Sequence, residues 1–159
     1  MKLTKNLALL LALGVAGLAQ ADGHLMVDDA WVREAPPGAM ALAGYMKLHN
    51  HADKERVLVG ADSPEFDHVM LHRTVFEGEM SKMMHQHMIT IPAKGMVSFE
   101  PNSYHLMMMK PKQALKAGDK VSVTLSFKNG DTQEVSHEVR STMGGMKQGG
   151  HDMGHNHGH

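Results

Sequence analysis

Residues 120–139 read "KVSVTLSF", then Lys128-Asn129-Gly130-Asp131, then "TQEVSHEV". Both flanks alternate apolar and polar residues. Successive side chains of a strand point to opposite faces, so a period of two buries one face and wets the other. Asn-Gly between two such runs is the strongest short hairpin signal, because these residues accept the backbone angles of a tight turn. Upstream, "MVDDAWV", "LAGYMKLHN", "RVLVGADSP" and "DHVMLHRTVF" read as further strands, punctuated by "APPG", "EGEMS", "PAKG" and "KAGD". No segment carries a long 3.6-residue period. The expectation is an all-β sandwich or barrel with Greek-key-like connections over residues 22–140.

The two ends differ from this pattern. In residues 1–21, Lys2 and Lys5 precede the apolar run "LALLLALGVAGLA", and Ala19-Gln20-Ala21 forms a small-x-small cleavage site. That is the grammar of a cleaved signal peptide, and the apolar run is short for a membrane anchor of about 20 residues. Export to a bacterial periplasm is expected, with no membrane span after cleavage. Residues 141–159, "STMGGMKQGGHDMGHNHGH", are glycine-rich and lack apolar periodicity, so a disordered tail rich in His and Met is expected.

Composition narrows the chemistry. The chain has no Cys, so disulfides, CxxC motifs, cysteine nucleophiles, thiolate metal sites and blue-copper centres are excluded. The formal charge of −1 becomes only mildly more acidic when Lys2 and Lys5 are removed, which suggests neither a nucleic-acid nor a lipid partner. No G-x-S-x-G, H-E-x-x-H or glycine-rich phosphate loop occurs, so an enzyme is not expected. Yet 159 residues hold 16 Met and 13 His, interleaved in "VMLHRTVFEGEMSKMMHQHM", in "YHLMMMK" and in the tail.

Strand alternation sorts these side chains. His105, Met107 and Met109 fall on one face, with Leu106 and Met108 as the natural core pair on the other. Met70, His72, Thr74 and Phe76 share a face, opposite Val69, Leu71, Arg73 and Val75. Met83, His85 and His87 share a face if their segment is extended. Two His and two Met from three segments can thus converge at one end of a sandwich. Taken singly, Met83 and Met107 would pass as core filler, and His72 and His105 as surface residues. Together they form a donor set suited to Cu(I): thioether is soft, neutral and resistant to disulfide chemistry, and imidazole ligates when neutral.

The spacing is also specific. His72, ten residues, Met83, twenty-one residues, and then His105-x-Met107 reproduce the H-x10-M-x21-H-x-M signature of the periplasmic copper chaperones called the PCu(A)C family. The similarity extends through "AWVREAPPGAMALAGYMKLHN" and "YHLMMMKPKQALKAGDKVSVTLSF". The resemblance implies a cupredoxin-like β-sandwich that binds one Cu(I) through His72, Met83, His105 and Met107. It further implies delivery toward the CuA centre of cytochrome c oxidase, with the apo CuA domain and Sco-type proteins as partners. Two departures stand out. Met80, Met84, His85, His87 and Met88 are surplus donors near Met83, and Asn102-Ser103 stands where glycines are expected before the His. Asn tolerates a left-handed turn, so the turn is expected to be kept.

Other donors have their own readings. In the tail, Met143, Met146, His151, Met153, His155, His157 and His159 suit a second copper site, with the imidazoles fitted to Cu(II). Cleavage after Ala21 would expose Asp22-Gly23-His24, whose amine, amides and His24 imidazole can wrap Cu(II). His49, His51, His68 and His137 have no partner at ligand spacing and are read as solvated strand-end residues. The rival to a chaperone is a periplasmic copper-resistance or buffering protein of the CopC kind. A Zn or Ni scavenger would leave the thioethers without a role. A monomer is expected.

Overall fold

The structure, a computed structural model, describes residues 25–141. The expected signal peptide, His24 and the tail donors from Met143 onward lie outside the described residues. Ten strands follow in chain order: β1 Leu25–Arg33, β2 Ala41–Asn50, β3 Arg56–Asp62, β4 Phe66–Glu77, β5 Met80–His85, β6 Ile89–Ile91, β7 Met96–Phe99, β8 Tyr104–Pro111, β9 Lys120–Phe127 and β10 Thr132–Arg140. Among the described residues there is no helix, and so none long and apolar enough to cross a membrane.

The sheet closes on itself. Following the pairings, β4 joins β8, β8 joins β2, then β1, β10, β9 and β3, and a single Ala61↔Val69 bridge returns β3 to β4. β5, β6 and β7 attach to this ring as short additions. Closure is a common way for an all-β chain to remove exposed strand edges. β1 runs parallel to β10, with Val32 beside Val139, so the first and last strands meet through a crossover and not a hairpin. This is the closed, Greek-key β-sandwich that the alternating pattern predicted.

Period two fills the interior. Leu48, Leu106, Met108, Val121, Val123 and Leu125 are each fully buried, joined by Val32, Leu58, Ile91, Phe66 and Phe99. On β9 the apolar positions are buried and the polar ones between them are half-buried or exposed, as the alternation requires. Gly44 on β2 faces Leu106 on β8, and a Cβ there would meet Met108 Sδ at 3.1 Å and Leu106 Cβ at 3.3 Å. The close approach of these two strands depends on the missing side chain.

Turn chemistry follows the punctuation residues. The Asn-Gly loop joins β9 to β10, with Gly130 at φ 90° and its N–H donating to the Phe127 carbonyl. Gly78, at φ 63°, opens the two-residue turn that folds β5 back on β4, a position that glycine occupies readily in hairpins. Asn102 takes φ 66°, so the left-handed turn before β8 is kept without glycine. β6 and β7 are additions to the strands expected from the sequence, and at three and four residues they are too short to display a period.

One histidine departs from expectation. His137 is not a solvated strand-end residue but is fully buried, between Val135 and Val139 on the inward face of β10. Its place in the alternation decides this: positions 135, 137 and 139 share one face, and both neighbours are core valines.

Candidate metal centre

The site is built on three adjacent strands, β5, β4 and β8, all antiparallel. Their register places His85, His72 and His105 directly across from one another, with β4 in the middle. Directly paired residues share a sheet face, so the three imidazoles form one row. The next same-face row pairs Met70 of β4 with Met107 of β8, and Met107 in turn with Ala43 of β2. On the other side of the imidazole row, Met83 of β5 pairs with Thr74 of β4. Met83 and Met107 therefore flank the imidazoles diagonally, at the about 7–8 Å backbone separation that long side chains can span. Leu71, Leu106 and Met108, at intervening positions, are buried in the core.

Local structure orients the two inner imidazoles. The turn at Asn102 aims the Ser103 carbonyl at two donors: the Thr74 backbone N–H at 3.0 Å and His105 Nδ1 at 3.1 Å. With its Nδ1–H donating there, His105 carries its lone pair on Nε2. That atom is buried and has no hydrogen-bond partner, and the same is true of His72 Nδ1. Buried polar atoms are nearly always paired, so two orphaned ring nitrogens on facing residues require an explanation. The ring centroids of His72 and His105 are 5.8 Å apart, at 69° to one another.

Electrostatics keep His72 neutral. Burial lowers its pKa below the ordinary imidazole value, and the neighbouring His105 and His85 lower it further. A neutral imidazole has a free lone pair. His105 is 5% exposed and Met107 is half-buried, while Met83 on the outer strand is 63% exposed. Among the described residues, no three of His, Asp or Glu come together closely enough to hold an ion.

His85, a surplus donor beside the four-residue signature, is the third member of the row. Its signal was its position two residues after Met83, on the same strand face. His87 follows, with its ring centroid 4.7 Å from that of His85. Met80, Met84 and Met88 are exposed around the same hairpin.

Among the remaining histidines, His68 and His51 are exposed as expected. His49 does have neighbours: its Nε2 lies 3.3 Å from Asp28 Oδ2, and Met26 and Met96 pair with it on either side.

Fold and site define the class: a closed, cupredoxin-like β-sandwich that presents imidazole and thioether together on one surface. The chain belongs to the LpqE-like family, described as "Putative lipoprotein LpqE-like", whose model matches residues 25–139. A protein of Leifsonia xyli subsp. xyli, named as a lipoprotein, is 36% identical over 126 residues, covering 79% of this chain and 74% of its own. Among solved structures, the Cu(I) form of DR1885 from Deinococcus radiodurans is similar at 34% identity and a TM-score of 0.63, over 79% of this chain and 83% of that one. The copper-bound PCuAC domain of PmoF2 has the same fold, with a TM-score of 0.64 at 21% identity, over 76% of this chain and 96% of that domain.

Proposed function

We propose that this protein is an exported, non-enzymatic Cu(I) carrier, in which His72, Met83, His105 and Met107 bind a single ion. The observation that carries the reading is the pair of buried, partnerless nitrogens, His72 Nδ1 and His105 Nε2, on cross-strand partners. Cu(I) answers both the orphaned lone pairs and the adjacent thioethers, because it is soft and accepts imidazole and thioether alike. The likeness to a Cu(I)-bound protein at 34% identity supports the choice of metal.

Exposure of Met83 favours transfer over storage. Two imidazoles and Met107 sit against the sheet, whereas Met83 stands on the outer strand in solvent. A neutral thioether at the rim is the ligand most easily displaced by an incoming donor. On this reading, copper is passed in the periplasm to a cuproprotein such as the CuA centre of cytochrome c oxidase, with Sco-type proteins in the same exchange. The expected tail donors would supply a separate Cu(II) site.

Competition with a Cu(I) chelator tests the ligand set. Met83→Leu with Met107→Leu removes both thioethers with little change in volume, so the fold should persist. Cu(I) affinity should fall steeply, and an unchanged affinity would overturn the assignment. Delivery is tested by mixing the loaded protein with an apo CuA domain and following where the copper resides.

A further inference from the structure

Beyond the inner pair, the imidazoles continue outward without a gap. Ring centroids are spaced 5.8 Å from His105 to His72, 5.6 Å from His72 to His85, and 4.7 Å from His85 to His87. Exposure rises along the file: His105 is buried, His72 is half-buried, and His85 and His87 are exposed. We propose that His85 and His87 form a second, outer Cu(I) station, and that copper passes between it and the inner site through His72 by exchange of imidazole ligands. This rests on the carrier reading and adds a route to it.

The spacing is what makes exchange feasible. A metal–nitrogen bond is about 2.0 Å, so two rings can grip one ion when their centroids lie within roughly 6 Å. Every step of the file meets that condition. Each transfer exchanges one Cu–N bond for another while a thioether keeps hold of the ion, and copper remains Cu(I) throughout, with no electron moved. The ion is never released as a bare cation, so no step requires full rehydration.

Local architecture supports a station at this place. β5 ends at His85, and the Gln86 backbone N–H donates to the Leu71 carbonyl at 2.8 Å, which holds the following residue against β4. His87 follows two residues on from His85, and its ring centroid lies 4.7 Å from that of His85. Met88, beyond the end of β5, is exposed in the same segment and offers a thioether to complete an outer ion. None of the described ion pairs involves either imidazole.

The test is residue-resolved. The full chain is titrated anaerobically with Cu(I), and the imidazole nitrogen shifts of His72, His85, His87 and His105 are followed by NMR. In parallel, the rate of copper loss to a Cu(I) chelator is measured by stopped flow. The first equivalent should move His72 and His105, and a second should move His85 and His87. The His85→Gln, His87→Gln variant should lose the second event and release copper about tenfold more slowly. Its affinity for the first equivalent should stay clear of the about tenfold loss expected when a direct partner of a metal ligand is removed. A His49→Gln control, which alters a histidine between two exposed methionines elsewhere, should leave both readouts unchanged. Shifts at His72 and His105 with His85 and His87 silent, or an unaltered release rate in the double variant, would overturn the outer station alone. Loss of the second event in the His49 control would do the same. Silence at all four histidines would overturn the carrier reading along with it.

Discussion

His72 on β4 and His105 on β8 are direct cross-strand partners, and each carries a buried ring nitrogen that no protein group satisfies. A shared ion explains both. Their contributions to Cu(I) binding should then be strongly coupled. The outer partner of a metal ligand is worth about tenfold to a hundredfold in affinity, so each ligand is worth no less. A double-mutant cycle with His72→Gln and His105→Gln should show the double variant losing far less than the product of the singles. Additive losses, measured by chelator competition, would indicate two separate sites.

The same orphaned atoms predict a cost in the copper-free protein. His105→Leu removes a buried, unpaired Nε2 and keeps an apolar side chain of similar size. Ser103 loses one donor but still accepts from Thr74. An unsatisfied buried polar atom costs about 1–3 kcal/mol, so the variant should be as stable as the apo parent or more so. Thermal unfolding of both apo proteins checks this, alongside loss of Cu(I) binding in the variant. Stability and function are opposed at this position.

His137 predicts an acid sensitivity unrelated to copper. Burial pushes its pKa from 6.5 down to about 4, against a weaker opposing effect of its hydrogen bond to the Val135 carbonyl. The folded protein therefore holds this ring neutral, and the unfolded chain binds the proton more readily. Its neutral state costs nothing above pH 6.5. Stability is lost as pH falls from 6.5 to about 4, and the loss levels off below that. The total is roughly 3 kcal/mol, from 1.36 kcal/mol per pKa unit. Urea unfolding of a His137→Leu variant should show a shallower decline across that window, and an identical slope would assign the acid sensitivity elsewhere.

Truncation separates the two copper chemistries that the donor sets suggest. A chain ending at Arg140 lacks Met143, Met146, His151, Met153, His155, His157 and His159, but keeps all four candidate Cu(I) ligands. Imidazole without thioether suits Cu(II), and glycine-rich chain can gather several rings around one ion. Cu(I) affinity should be retained and most Cu(II) binding lost, as read by chelator competition in each oxidation state. Intact Cu(II) uptake would transfer that role to His24, with the free amine and backbone amides that cleavage after Ala21 would supply.

What the sequence determined by itself is whatever depends on neighbours along the chain. Alternation placed Leu106 and Met108 inward and His105 and Met107 outward, because a strand reverses its side chains at every residue whatever lies beside it. The Asn129-Gly130 hairpin and the left-handed turn at Asn102 were legible for the same reason, since both are set by local backbone preference. His137 could have been read as buried from its valine-flanked position, had its face been compared with that of Val135 and Val139. Only the tertiary structure decided which strands meet. Nothing local states that β8 lies beside β4, that β1 runs parallel to β10, or that His72 and His105 fall in one row. Those pairings join residues far apart in sequence. They are selected by burial of the whole apolar face and by closure of the sheet, and a shift of one residue would have turned every donor to the opposite side.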